Sequence, residues 1–597
     1  MADGVPMTIF IPMMVIFISV TIILGLLGFR HTKENKHFLL GRNKANSFLI
    51  GISYGATFLS TSAIIGFGGQ AATHGLTMIW LVFLNLFLGL MVPFIFFAPR
   101  VRRIGRKVGA STFADLLGKI FKSKGIRAFT AFLIIVMMPI YAAAVLKGGV
   151  NAVVVITGLT EYYNFVLIAI AIIVGLYVIF GGVLAVMYND VLQASMMLVG
   201  MLIIFGVTIF ALDGGFIGGM ETLNILDKLP IDPSDPNSEL VGMPGTLPGG
   251  MGFASLPQFL SKEFWLVVST FILGVGIGAM TQPQLVVRFL SAKDDKMLSR
   301  SMIVGSIFTL AIVGIAYTVG ALTNVYNWQV HDMTSWQYIT SLGLGVDFII
   351  PQYVLEVFSN GGWGNFFICA FILSLLCAAI STLSALMHAI GAAGGHDVYS
   401  VVKTRNVKYK AGAAFDRMSS SLTKKFVKST DDEVTITEKK KDYQSLKINR
   451  MVTFIMMILV VVYTFLMPND IIAKATSLFM GMTAAALLPL LIYGLYSKKP
   501  KKQVVIPSIV VGTLTYLFWA LFINSGSSIF LPICKWITGQ KVLFLDGTLQ
   551  FVDSLVIALP LSVLTMVIML IITKNKYNEP AAEEVKAETE PEEKVDS

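Results

Sequence analysis

The residues best able to do chemistry in this chain are small and hydroxylated ones set into otherwise apolar runs. One run holds Gly51, Ser53, Gly55, Ala56, Thr57, Ser60, Thr61, Ser62, Gly66, Gly68 and Gly69, and a second holds Gly274, Gly276, Gly278, Thr281, Gln282 and Pro283. In a membrane-spanning helix such a run marks a place where the backbone can open and face a cavity. The alternative is that small residues only let helices pack closely. A third run contains Ala378, Ser381, Thr382 and Ser384. A small hard cation such as sodium needs several oxygens in one cage, and freed carbonyls plus neighbouring hydroxyls supply them without burying a full negative charge. Ser381 and Thr382 offer two hydroxyls, and Ala378, one turn back, offers a carbonyl. The competing use of such hydroxyls is bonding back to their own helix.

The elements that must hold these residues are helices in a bilayer. The chain has 597 residues, 55% hydrophobic and 13% charged, with a mean hydropathy of +0.76. At about 20 apolar residues per span, that composition excludes a soluble protein and fits an all-α polytopic membrane protein. Thirteen apolar windows are predicted as helices: 7–29, 47–74, 76–98, 128–157, 164–187, 190–212, 261–287, 302–326, 361–396, 450–467, 471–496, 503–524 and 550–573. The amino-terminal window lacks a basic leader region and a small-residue cleavage site, so it is read as the first span rather than a signal peptide. One transmembrane domain, 1–573, with core helices at about 47–496, is expected. It carries a polar loop at 398–449 and a disordered acidic tail at 574–597.

Three cysteines, Cys369, Cys377 and Cys534, have no CxxC pairing and no histidine cluster around them, which gives no sign of a disulfide framework or zinc site. The net charge of +10 is explained by topology rather than by nucleic acid. Of the 45 Lys and Arg, 39 fall on one side of the predicted spans and five on the other, with Lys147 inside a helix. This places the amino terminus outside and the carboxyl terminus in the cytoplasm of the plasma membrane. The outer loops 213–260 and 327–360 are long enough for short helices that cap a vestibule. No HxxH or GxGD pair and no paired carboxylates are present within the spans, so the sequence gives no enzymatic chemistry and no cofactor.

Several spaced motifs resemble the sodium/solute symporter family, whose members carry solutes such as proline, galactose, sialic acid, pantothenate and monocarboxylates. They are Phe38 to Arg42, Gly55-Ala56-Thr57, Tyr177 with Gly181, Gly182 and Ala185, Asn189-Asp190 with Gln193, Gln282-Pro283 with Arg288 and Lys293, Ala378 to Ser384, and His396-Asp397 with Tyr399. The resemblance implies a leucine-transporter-type core of two inverted five-helix repeats, with the first, twelfth and last helices outside it. It implies sodium held by the carbonyls of Ala56, Leu59 and Ala378 and the hydroxyls of Ser381 and Thr382. It also implies a second sodium at Asp190 and Ser384, although Ala385 stands where some members supply a further serine. The partners implied are sodium, a small organic solute and the bilayer, with oligomeric state left open.

For the solute, Phe58, Ser60, Thr61, Tyr141 and Lys147 are the expected contacts. Lys147 lies about 15 Å below the outer end of its helix, and an ionisable residue at such depth is a candidate to face a cavity. Members that bind sialic acid place a cation on the corresponding helix, which suggests a carboxylate-bearing solute; the alternative for Lys147 is a tether to helix carbonyls. Phe58 stands where the proline carriers have an acid. His388 is expected to pack or hydrogen-bond. At 100 mV an entering charge contributes about 2.3 kcal/mol, and a tenfold sodium gradient about 1.4 kcal/mol more. One sodium therefore accumulates a neutral solute several hundredfold but a monoanion only about tenfold, and an anion favours two sodiums. The other readings are sodium-coupled uptake of a neutral solute such as a sugar, an uncoupled channel, or a transporter-like sensor.

Overall fold

Because lipid offers no hydrogen bonds, a spanning chain must satisfy its backbone internally, and the described residues of this chain are helical, with no strand among them. The computed structural model describes residues 6–31, 35–41, 46–228, 252–358, 363–399, 433–468, 471–545 and 547–575. Most of the 398–449 loop and the acidic tail beyond residue 575 lie outside them.

Among the described residues eleven helices are long and apolar enough to cross a membrane, or twelve if the pair Ser335–Ser341 and Val346–Phe358, bent by 100°, counts as one span. That is fewer than the thirteen predicted windows, and the reason is where the backbone breaks. The window 47–74 divides into Ser47–Phe58, too short to span alone, and a second part that runs on from Ser62 through the next window to Val108. The windows 164–187 and 190–212 join as Tyr163–Ala211, 49 residues. A straight helix of that length would measure about 74 Å, more than twice a hydrocarbon core of about 30 Å. Gly182 interrupts it at φ 63° and ψ −162°. The Tyr177 hydroxyl lies beside Gln193, which on a straight helix would be about 24 Å away. The chain therefore turns back at Gly182, where a Cβ would also meet Phe38 at 2.8 Å.

Burial separates core from periphery. Within the helices Gly364–Val398 and Ile472–Tyr496, 83% and 89% of the apolar window is buried, against 22% in the first helix and 17% in the last. The first helix, Met7–His31, lies against the Tyr163–Ala211 region through Gly25 and Gly28, where a Cβ would approach Tyr177 and Ala185 to 2.9 and 2.5 Å. The helices Lys502–Phe518 and Ser554–Asn575 pair through Ser508 and Ser562, whose hydroxyls donate to each other's carbonyls at 2.8 and 3.0 Å. The loop 327–360 carries short helices as expected, Ser335–Ser341 and Ile349–Phe358.

Between the spans ending at Val108 and starting at Lys124, the short helix Phe113–Ile120 is clamped to the far end of Gly364–Val398. Arg127 bridges Asp115 at 3.1 Å and Asp397 at 2.9 Å, Lys119 pairs with Asp115 at 2.7 Å, and Thr112 donates to Asp397 at 2.8 Å. Burial raises the Asp115 carboxyl, but hydrogen bonds with His396 and Lys119 and the charges of Arg127 and Lys119 outweigh it and hold it well below the usual carboxylate range. A folded-state value below the unfolded one gives stability that is complete above about pH 5 and lost as pH falls through the folded value. Thermal melting is expected to show this contribution unchanged between pH 5 and 8. The Asp115→Asn variant should lower the melting point across that range and flatten its acid-side decline.

Candidate functional site

The first small-residue run breaks as its composition predicts. Helix Ser47–Phe58 starts at Asn46, whose side chain accepts from the Leu49 amide at 2.8 Å, and ends at Leu59, which is extended at φ −93° and ψ 96°. The chain resumes as a wide turn Ser62–Gly66 and helix Phe67–His74, with the Ser62 amide donating to Ser60 Oγ at 3.1 Å. The second run breaks at Gln282, extended at φ −68° and ψ 117°, before helix Pro283–Ser291. Proline pushes the residue before it out of the helical region and brings no N–H of its own. The Gln282 side chain takes up the slack, its Nε2 donating to the Gly278 carbonyl at 2.9 Å and to Thr483 Oγ1 at 3.0 Å.

Two of the three hydroxyls of the third run, Ser381 and Thr382, point at the helix that ends in the first break. Ser381 Oγ donates to the Ala56 carbonyl at 3.0 Å and to the Ala378 carbonyl at 3.3 Å, and Thr382 Oγ1 donates to the Thr57 carbonyl at 3.0 Å. All five residues are buried. Ala56, Ala378 and Ser381 thus share one cluster, Thr382 adjoins it, and Leu59 forms the break itself. Thr57 O is an addition, legible only as Ala56's neighbour. The cluster is a set of neutral oxygens with no side-chain anion, the donor type that suits a monovalent hard cation.

One helical turn before the break lies a buried ion pair. Arg288, on the Pro283–Ser291 helix, donates to Asp190 Oδ2 at 3.2 Å, Ser53 Oγ at 3.2 Å, Thr57 Oγ1 at 2.7 Å and the Gln284 carbonyl at 2.9 Å. Ser53 also donates to Asp190 Oδ2 at 2.5 Å. The second oxygen, Asp190 Oδ1, has no hydrogen-bond partner. Ser384 donates to the Ser381 carbonyl at 2.9 Å, and the Tyr177 hydroxyl lies beside both Ser384 and Asp190. Arg288 belongs to the motif Gln282 to Lys293, but nothing in its spacing shows that it joins both broken helices to Asp190.

Against the first break, and reaching Val275 of the second broken helix, is a small cavity of about 10 Å³, the room of one water. Phe58, Ser60 and Tyr141 line it as expected, and the Tyr141 hydroxyl donates to Ser60 Oγ at 3.3 Å. Ser62, Asn85, Tyr317 and Thr476 line it too. Asn85 is a polar group alone in the middle of an apolar run, which is the signal that could have found it, whereas Tyr317 stands beside Thr318 among several hydroxyls of its window and gives no such signal. Thr61 turns away and donates to the Val145 carbonyl at 2.9 Å. Lys147 is not in the lining either: Nζ donates to the Met467 carbonyl at 2.5 Å. His388 bonds to the Phe38 carbonyl at 2.9 Å.

A tethering Lys147 predicts a specific outcome. Losing a charge-assisted hydrogen bond costs about 1.5–3 kcal/mol, so Lys147→Gln is expected to lower the melting temperature while leaving the concentration of solute needed for half-maximal uptake within about twofold.

A family model described as the sodium:solute symporter family matches residues 37–418. The sodium/proline symporters of Staphylococcus aureus strains JH9 and N315 are each 24% identical over 522 residues, covering 86% of this chain and 86% of theirs. Among solved structures, a Na+-coupled sialic acid symporter in a substrate-bound outward-open state aligns with a TM-score of 0.64. That alignment covers 93% of this chain and 94% of the other at 17% identity, a likeness of fold.

Proposed function

Because the chain belongs to the sodium:solute symporter family and has the leucine-transporter type of fold, we propose that it imports a small carboxylate-bearing solute, driven by sodium, through alternating access. The observation that carries this reading is the pair of hydroxyls, Ser381 and Thr382, seated on the Ala56 and Thr57 carbonyls just before the first break. With Ala378 and Leu59 they would hold the sodium. Sodium bound there stabilises one state of the carrier, and by linkage it raises solute affinity by the factor that solute raises sodium affinity.

The solute would lie at the first break, against Phe58, Ser60 and Tyr141. A carboxylate fits here because the half-helix beginning at Ser62 presents the positive end of its dipole to the cavity. The relatives carry proline, which bears a carboxylate. Lys147 serves this reading as a tether rather than as the solute's counter-ion. The unpartnered Asp190 Oδ1 beside Ser384 is where a second sodium would sit, a need that arises for a monoanion and not for a zwitterion. The site's small volume means that the helices around it must part to admit solute. In this reading the amino terminus stands outside the plasma membrane and the carboxyl terminus inside, which the charge asymmetry of the loops supports.

Purified protein in liposomes tests this. Uptake of proline, alanine or lactate above the external concentration is expected with an inward sodium gradient and is expected to vanish with choline. Undiminished concentrative uptake in choline would contradict it.

A further inference from the structure

The central cavity has a polar wall that the carboxylate reading does not use. Ser62 Oγ, Asn85 Oδ1 and the Tyr317 hydroxyl all belong to its lining, and among the described residues nothing outside this trio hydrogen-bonds to any of the three atoms. The residues are 1%, 3% and 1% exposed, so bulk water does not serve them. Asn85 and Tyr317 come from different helices, Ile79–Leu86 and Asp295–His331, yet their side chains lie beside each other. A buried polar atom left unpaired costs about 1–3 kcal/mol. Three converging on one space mark a recognition surface for a polar group. The amide oxygen of Asn85 accepts only, and the two hydroxyls can accept as well as donate, so the wall suits a group carrying N–H or O–H. No charged side chain lines the cavity, so it offers a plain carboxylate nothing further.

Resting on the reading above, we infer that Ser62, Asn85 and Tyr317 form a second recognition point that selects solutes bearing an amino or hydroxyl group on the carbon next to the carboxylate and rejects unsubstituted alkyl carboxylates. The position of the group follows from the chain. The half-helix whose amino-terminal end faces the proposed carboxylate position begins at Ser62, whose side chain is also part of the polar wall, and the cavity is small. The two recognised groups must therefore sit on neighbouring carbons rather than at opposite ends of a long solute. A site built to bond a substrate O–H or N–H rejects the analogue without it by about 10⁴-fold, because its own buried groups are then stranded.

Calorimetric titration of the full-length protein in sodium with propionate, lactate, alanine and proline tests the inference. Lactate, alanine or proline is expected to bind at least about 100-fold more tightly than propionate. Tyr317→Phe and Asn85→Leu are each expected to shrink that ratio about tenfold or more, mainly by weakening the substituted solutes. Tyr317→Phe removes one buried hydroxyl of the trio and leaves the ring in place. Sodium-induced thermal stabilisation in each variant verifies that it folds. Lactate against alanine separates a hydroxyl preference from an amino preference. If propionate binds as tightly as the substituted acids, or both variants keep the full ratio, the selection is overturned while the carboxylate reading stands. If none of the four binds, with or without sodium, the carboxylate reading falls and the selection with it.

Discussion

Arg288→Met is expected to abolish uptake and to destabilise the protein by about 3–5 kcal/mol, the cost of removing one partner of a buried ion pair. Asp190 and Arg288 are 0% and 1% exposed, and the guanidinium is the one cation paired with that carboxylate among the described residues. Without it Asp190 would keep the Ser53 and Thr57 hydroxyls beside it but no cation. The double variant Asp190→Leu with Arg288→Met removes both charges and is expected to recover most of the lost stability, since apolar replacements of a whole buried pair are often neutral or better. Arg288→Lys should not restore the wild type. A single ammonium cannot reach Ser53, Thr57, Asp190 and the Gln284 carbonyl together as the fork of the guanidinium does. Thermal melting of the three variants in detergent, beside uptake in liposomes, separates these outcomes; full stability in Arg288→Met alone would show that the pair does not hold the two broken helices together.

The second large effect concerns the ion. Ser381→Ala and Thr382→Ala each delete one hydroxyl from the oxygen cluster at the first break. Losing a contact to a charged group costs about 1.5–3 kcal/mol, and each 1.36 kcal/mol is tenfold. Each variant is therefore expected to raise the sodium concentration for half-maximal uptake about 10- to 100-fold. At saturating sodium the solute dependence should return close to wild type, because neither residue lines the cavity. Thr382→Ser keeps the oxygen and is expected to stay within a fewfold. A solute affinity lost equally at all sodium concentrations would instead make the two hydroxyls structural.

Much of this was legible in the sequence because lipid enforces simple rules. Apolar windows of about 20 residues must be helices, so the all-helical fold and most helix positions followed from composition. Glycine, hydroxyl and proline clusters inside such windows predicted the breaks at Leu59 and Gln282. What periodicity cannot show is contact between distant segments. Gly182 lies inside a predicted helix, and only its positive φ shows that the chain turns back there and not at residues 188–189. Arg288 reads as an ordinary residue of a motif until the fold brings it to Asp190, and Asn85 reads as an isolated polar residue and Tyr317 as one of several hydroxyls in its window until both reach the cavity. Depth in the membrane alone made Lys147 a candidate for the solute. The Met467 carbonyl, more than 300 residues away, gives it a different task.

The central claim, that sodium binds where Ser381 and Thr382 meet the first broken helix, is tested most directly by radioactive sodium binding to purified protein without solute. Saturable binding is predicted for the wild type, with the paired Ser381→Ala and Thr382→Ala variant binding at least about 100-fold more weakly while melting as a folded protein. Equal sodium binding in the folded double variant would contradict the account.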